Sequence, residues 1–227
     1  MAGIHSHFNA ATVRVFDRIA ITLGETPGVG CCGALHQHLD APETARRVAR
    51  NNIDAWIAAL DAGAEAVVVN ASGCAAFVRD YPDLFLEEAA YAEKARRVVD
   101  HLRDPVQVLA AAPPAPARAP VQPRIAVHDP CTLRNGPALG GAVARLLTGL
   151  GYEPQAVADP HMCCGSAGAY SLLNPDMAGR LRAEKLTALN AGSPDTIYTA
   201  NIGCWLHLSE TSPKPVRHWI EAVDEVT

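Results

Sequence analysis

Residues 124–128 (RIAVH) are mainly apolar and stop at Asp129-Pro130, which predicts a short buried strand. Residues 140–150 follow with Val143, Leu146, Leu147 and Leu150 at helical spacing. A second strand is expected over 155–158, a helix over 176–191 and a third strand over 196–199. The order β-α-β-α-β predicts a parallel sheet with right-handed crossovers. Much of this pattern occurs earlier in the chain. A helix is predicted over 9–21, with Val13, Phe16, Ala20 and Leu23 on its apolar face. A second helical run opens at Pro42-Glu43, closes at Ala62-Gly63 and passes into an apolar segment at 66–69, as Pro175-Asp176 opens and Ala191-Gly192 closes the later copy. Proline in the first turn beside an acid is a helix-start signal.

Between the copies lies AAAPPAPARAP, residues 110–120, a proline-rich stretch expected to be extended and semi-rigid. The chain therefore divides into a first module over 1–109, a linker over 110–123 and a second module over 124–227. The fold class expected is α/β, two similar modules with parallel strands.

The cysteines repeat with the elements. Cys31-Cys32-Gly33 recurs as Cys163-Cys164-Gly165, and each is followed by a Gly-Cys, Gly73-Cys74 after 42 residues and Gly203-Cys204 after 40. Cys131, Cys163, Cys164 and Cys204 each follow the carboxyl end of a predicted strand, the edge at which open α/β sheets bind ligands. They are expected to converge there. Carrying the spacing from Cys131 to Cys163 back from Cys31 puts the equivalent cysteine just ahead of Met1, so the first module reads as N-terminally truncated, with its opening strand missing.

Composition narrows the chemistry. The 227 residues are 49% hydrophobic and 19% charged, an ordinary globular balance that excludes disorder and collagen-like structure. With 19 Lys+Arg against 24 Asp+Glu there is no basic surplus for nucleic acid. No apolar run is long enough to span a bilayer, and MAGIHSHF lacks the basic and apolar parts of a leader, so a cytoplasmic location is expected. Asn70-Ala71-Ser72 matches a glycosylation acceptor but has no secretory context. Seven cysteines cannot all pair as disulfides, and clustered thiols in a reducing compartment point to metal or redox chemistry. Adjacent cysteines do not readily bond each other, since the ring is strained. Thiolates grouped this way select zinc, copper(I) or iron–sulfur centres. Helix N-termini expected just behind Cys32 and Cys164 favour thiolate over thiol.

The candidate ligands are Cys131, Cys163, Cys164 and Cys204 in the second module and Cys31, Cys32 and Cys74 in the first, where His36 or His38 is a candidate to complete the set. His207, three residues after Cys204, is a further candidate. His128 and His161 are expected near the site edge as hydrogen-bonding neighbours of ligands, and His5 and His7 in solvent. The charged positions over 43–50 and 179–185 read as solvated helix faces without chemistry. No nucleophile elbow, phosphate loop or dinucleotide fingerprint is present, so this chain alone is not expected to be catalytic. A thiol–disulfide enzyme using Cys163-Cys164 stays open as an alternative.

The pattern Cys131, Cys163-Cys164-Gly165, Cys204 resembles the cysteine-rich CCG domain of heterodisulfide reductase B subunits, lactate-utilisation proteins and iron–sulfur subunits of flavin-linked hydroxy-acid dehydrogenases. Gly30-Cys31-Cys32-Gly33-Ala34, Arg50-Asn51-Asn52-Ile53-Asp54-Ala55-Trp56, Ala71-Ser72-Gly73-Cys74, Cys163-Cys164-Gly165-Ser166-Ala167-Gly168, Thr199-Ala200-Asn201-Ile202-Gly203-Cys204 and Val216-Arg217-His218-Trp219-Ile220 are similar to glycolate oxidase iron–sulfur subunits, over all but the spacer. The resemblance implies an electron-transfer subunit of glycolate dehydrogenase. FAD on partner subunits oxidises glycolate to glyoxylate, and electrons pass towards a quinone or other membrane-associated acceptor, which places the chain at the inner membrane through its partners. It implies a [4Fe-4S] cluster, cubane or noncubane; the thiolate set read by itself leaves zinc in a docking scaffold as the alternative. Two features depart from the family. No C-x-x-C-x-x-C-x-x-x-C-P run occurs in this sequence, and the C-x-x-C of the heterodisulfide reductase branch has Phe77 and His207 at its second cysteine.

Overall fold

The computed structural model describes residues 6–227; His5 lies outside them. The first half comprises helix α1 (Ser6–Arg18), α2 (Ala34–His38), α3 (Pro42–Asp61), strand β1 (Val67–Val68), α4 (Ser72–Arg79), α5 (Tyr81–Leu84), α6 (Ala89–Asp100), β2 (Leu102–Arg103) and α7 (Pro105–Ala111). The second comprises β3 (Arg124–His128), α8 (Cys131–Asn135), α9 (Ala142–Gly149), β4 (Glu153–Pro154), α10 (Tyr170–Leu173), α11 (Pro175–Asn190), β5 (Thr196–Thr199), α12 (Ile202–Ser209), β6 (Val216–His218) and α13 (Trp219–Val226).

The fold is α/β and every strand pairing described is parallel. In the second half the strand order is β4-β3-β5-β6, and in the first β1 pairs with β2. Strands β3 and β5 have the expected bounds. The strand expected over 155–158 is instead the pair Glu153–Pro154, because the edge ladder ends where the Gln155 amide bonds the Ile125 carbonyl at 2.7 Å. The pattern also missed β6, which extends the sheet beside β5.

Alternation along the central strands divides the sheet between two cores. Ile125 and Tyr198 face one, with Leu147, Trp219 and Val223, while Ala126 and Ile197 face the other, with Leu189, Leu208, Cys164 and Cys204. A third core lies within the first half, around Ile53, Trp56, Tyr81, Phe85 and Val98. Helices α1 and α7 do not join it. Ala11, Val15, Phe16, Val106 and Leu109 are buried with α9 and α13 instead.

This docking corrects the face expected for α1. Of the expected positions Phe16 is buried and Leu23 packs against the same core, but Val13 is 40% exposed and Ala20 lies beyond the helix at φ 60°, and Phe8, Ala11 and Val15 are buried instead. Positions 8, 11, 15 and 16 form a stripe of the same helical period, rotated towards α13. Lys185 is a second correction: it is 1% exposed rather than solvated, and its Nζ donates to the carbonyls of Asp159 and Pro160. No helix among the described residues is long and apolar enough to cross a membrane.

Candidate metal centre

The cysteines of the second half gather at the carboxyl edge of the four-stranded sheet. Strand β3 ends at His128, Asp129-Pro130 breaks the ladder, and Cys131 opens α8. Cys163 and Cys164 lie in the loop between β4 and α10, and Cys204 lies in the first turn of α12, just beyond β5. Gly165 turns the loop with φ +91°, a conformation costly to any residue with a Cβ. Its N–H then points back to Cys163 Sγ at 3.3 Å. The same device serves the first half, where Gly33 has φ +92° and its N–H lies 3.5 Å from Cys31 Sγ. Helix α2 starts directly behind Cys32 as expected, whereas α10 starts only at Tyr170, farther behind Cys164 than expected.

The sulfurs hydrogen-bond one another. Cys164 Sγ and Cys204 Sγ are 3.0 Å apart and both residues are buried. Hydrogen bonds from Cys131 and Cys164 hold the Cys163 thiol far below its ordinary range, and the Cys131 thiol is pushed up by the same contact and by burial. The hydrogen bond from Cys164 likewise lowers Cys204, and Cys164 is raised by its bonds to Cys163 and Cys204. In the first half the Cys74 thiol lowers Cys32 to about 6 against the opposing effect of burial, and Cys74 is pushed up. In each site the thiols that keep their protons thus favour the thiolate form of their neighbours, and binding of a soft cation would displace the remaining protons.

The first site rests on a buried polar network. Asn52 Oδ1 accepts from Gly30 N at 2.8 Å, and its Nδ2 donates to the Cys31 carbonyl and to Tyr81 Oη, both at 3.0 Å. Tyr81 Oη donates to the Cys32 carbonyl at 2.7 Å. Asn52 was not singled out as a site residue, although a polar residue at helical spacing with Ala45, Ala49 and Trp56 is the signal that marks it. His36 and His38 are both exposed, and His38 packs edge-on against the Phe77 ring.

The two sites adjoin. The Ser72 amide bonds the Ala200 carbonyl at 3.2 Å, and the hydroxyls of Ser72 and Thr132 are 2.8 Å apart. Asn201 accepts from Gly73 N at 3.2 Å and donates to Cys204 Sγ at 3.4 Å, so one side chain holds the turns that carry Cys74 and Cys204.

Of the histidines, His207 is buried with Nε2 3.2 Å from the Ala178 carbonyl, and His161 is exposed. His7 is exposed, with its ring near Phe8 and Trp205. His128 is 2% exposed, and its donor atom and the sulfurs of Cys164 and Cys204 all lie within 4.8 Å of one another. Burial holds this imidazole neutral, with a pKa near 3, and the Lys185 charge adds to the effect. With Cys164, Cys204 and His128 buried, Cys163 partly buried and Cys131 exposed at its rim, this sulfur-rich second site fits a soft metal ion or an iron–sulfur group.

The cysteine-rich domain family, CCG, matches residues 2–79 and 125–209. The chain is 46% identical over 217 residues to the glycolate oxidase iron-sulfur subunit of Escherichia coli K12, covering 96% of this chain and 53% of that protein. It is 32% identical over 203 residues to the probable glycolate oxidase iron-sulfur subunit of Bacillus subtilis 168, covering 88% and 45%. Lactate utilization protein A of Bacillus licheniformis is 24% identical over 228 residues, covering 96% and 93%. The chain spans about half the length of the two glycolate oxidase subunits.

Proposed function

This chain belongs to the CCG cysteine-rich domain family, and from that premise we propose that it is the iron–sulfur electron-transfer part of a flavin-dependent glycolate (2-hydroxy-acid) dehydrogenase. In this reading electrons arrive from an FAD-bearing partner subunit and leave towards a quinone acceptor. The substrate chemistry belongs to the partner's flavin, and this chain is not itself catalytic. It works in the cytoplasm and meets the membrane through its partners.

One observation carries the reading: the grouped sulfurs at the carboxyl edge of the parallel sheet, with Cys164 and Cys204 buried and hydrogen-bonded to each other. Cys131, Cys163, Cys164 and Cys204 would hold a [4Fe-4S] group in the second site, with Cys31, Cys32 and Cys74 as ligands in the first. When bound, such a group supplies one-electron transfer at a potential set by its ligands, hydrogen bonds and burial. The chain's own residues prepare for it. Gly165 N–H and the Asn201 amide point at sulfurs, where they stabilise negative charge. Leu186, Leu189 and Leu208 exclude water from the inner wall. The division at 1–109, 110–123 and 124–227 is then one of ligation, each module carrying one cysteine set.

A second reading has support in the same donor set, because four thiolates also satisfy tetrahedral zinc. The protein would then be a zinc-stabilised scaffold that docks its partners. Anaerobic purification followed by iron, acid-labile sulfide and zinc analysis separates the two. Iron and sulfide in matching amounts, with visible absorption that bleaches on reduction and is lost in Cys163→Ser, supports electron transfer. Stoichiometric zinc and a featureless visible spectrum favours the scaffold. Seven titratable thiols and no metal removes both.

A further inference from the structure

His128 ends β3, and the sheet register sets it opposite Thr199 of β5. Its Nδ1 lies 2.9 Å from Thr199 Oγ1, a buried contact that fixes the ring plane and occupies one of its two nitrogens. The ring is also the one non-sulfur donor in the group with Cys164 and Cys204 described above. Metal–sulfur bonds near 2.3 Å and metal–nitrogen bonds near 2.0–2.1 Å put neighbouring ligand atoms roughly 3.5–4 Å apart, so small side-chain rotations suffice to bring these three onto one metal ion.

We propose that His128 is a ligand of the second site, its imidazole joining the thiolates in a mixed sulfur–nitrogen donor set; the inference rests on the reading that this site holds metal. The hydrogen bond to Thr199 is the kind of outer contact that ligating histidines use to fix tautomer and ring orientation. With Nδ1–H donating to the hydroxyl, the Nε2 lone pair is left for the metal. His207 is placed differently. Its Nε2 is engaged by the Ala178 carbonyl, and that nitrogen lies 3.1 Å from the position a Cβ would take on Gly165. An imidazole in place of a thiolate raises the potential of an iron–sulfur centre, as the histidine-ligated Rieske centres illustrate.

Loss of affinity alone does not decide the point, since removing a hydrogen-bonding neighbour of a ligand also weakens binding about 10–100-fold. The deciding readout is pulsed EPR of the reduced, reconstituted whole chain with and without ¹⁵N-histidine labelling. A nitrogen coupling of the size of a directly bonded ligand is expected in the labelled protein, retained in His207→Gln and lost in His128→Gln. The labelled wild-type and His207→Gln proteins keep the test open even if His128→Gln does not fold. A full complement of iron and sulfide with only the weak coupling of a hydrogen-bonded nitrogen, or a coupling that disappears in His207→Gln, overturns the role of His128 and leaves the electron-transfer reading standing. Absence of any metal bound at Cys163, Cys164 and Cys204 overturns both.

Discussion

The sulfurs of Cys164 and Cys204, 40 positions apart in the chain, lie 3.0 Å apart in the wall of the second site. That is well beyond a covalent disulfide of about 2.05 Å. It is also too close for two bare thiolates, whose repulsion at this distance is roughly 5 kcal/mol even at an effective dielectric of about 20. A proton shared between them removes that repulsion, as the Cys164 to Cys204 hydrogen bond requires, and joint ligation of a metal ion would do so at the wider spacing of roughly 3.5–4 Å. In metal-free protein a disulfide-forming oxidant such as diamide should couple this pair first, each thiol giving up one hydrogen to the oxidant, and metal-loaded protein should resist. Peptide mapping by mass spectrometry checks it; a dominant Cys163–Cys164 or Cys131–Cys163 bridge would count against the geometry.

Gly33 and Gly165 share a backbone conformation but not a neighbourhood. A Cβ on Gly165 falls 2.5 Å from the Ala178 carbonyl oxygen and 3.1 Å from Leu181 Cβ, whereas on Gly33 the nearest atom, the Ala45 carbonyl oxygen, is at 3.4 Å. Gly33→Ala should cost about 1–2 kcal/mol, the left-handed backbone penalty alone. Gly165→Ala adds overpacking of about 1–3 kcal/mol and should cost about 2–5 kcal/mol. Urea unfolding of the two variants measures the difference, and equal losses would contradict it.

Asn201 bonds to both cysteine turns at once. Asn201→Ala removes an acceptor from the Gly73 amide and a donor from the Cys204 sulfur, so a loss of about 1–3 kcal/mol is expected in metal-free protein. In metal-loaded protein the missing N–H···S bond should lower the reduction potential of the second site, because such bonds stabilise the more negative, reduced form. A redox titration of wild type beside the variant reads the direction; an unchanged or raised potential would refute it.

Asp104 caps α7, accepting from Val106 N at 2.9 Å, yet it is 3% exposed. Burial raises its carboxyl to about 6, with the Val106 hydrogen bond opposing. A folded-state pKa above the unfolded value of about 3.9 gives stability that is complete at low pH and is lost as pH rises from about 4 to about 6. The shift corresponds to roughly 3 kcal/mol. Asn caps as well as Asp but carries no charge to bury, so Asp104→Asn should be the more stable protein at pH 7 and should lose that advantage near pH 4. Thermal unfolding followed by circular dichroism across this range is the check.

Much of the fold was legible in local pattern. The apolar run at β3, the buried TIYT of β5 and the proline-opened helices α3 and α11 each announce themselves within a few residues. The paired CCG and Gly-Cys motifs likewise mark the cysteines as two sets. Less was legible where packing decides. Nothing near Lys185 says that its ammonium will be buried against the Asp159 and Pro160 carbonyls, because a helix of mixed charge looks the same whether or not a loop folds over it. The stripe of α1 that is buried was chosen by α13, over 200 positions away.

The sequence by itself determined the chemistry available, soft sulfur donors at strand ends of a parallel α/β chain, since residue type and short-range periodicity are local properties. The tertiary structure decided which donors meet. His128 stands beside Cys164 and Cys204, and Asn201 reaches from Cys204 to Gly73, only because β3 and β5 pair in one register and the two halves meet at the turns that carry Cys74 and Cys204. Register and docking are set by hydrogen bonds and buried surfaces between segments tens of residues apart, and no local pattern carries them.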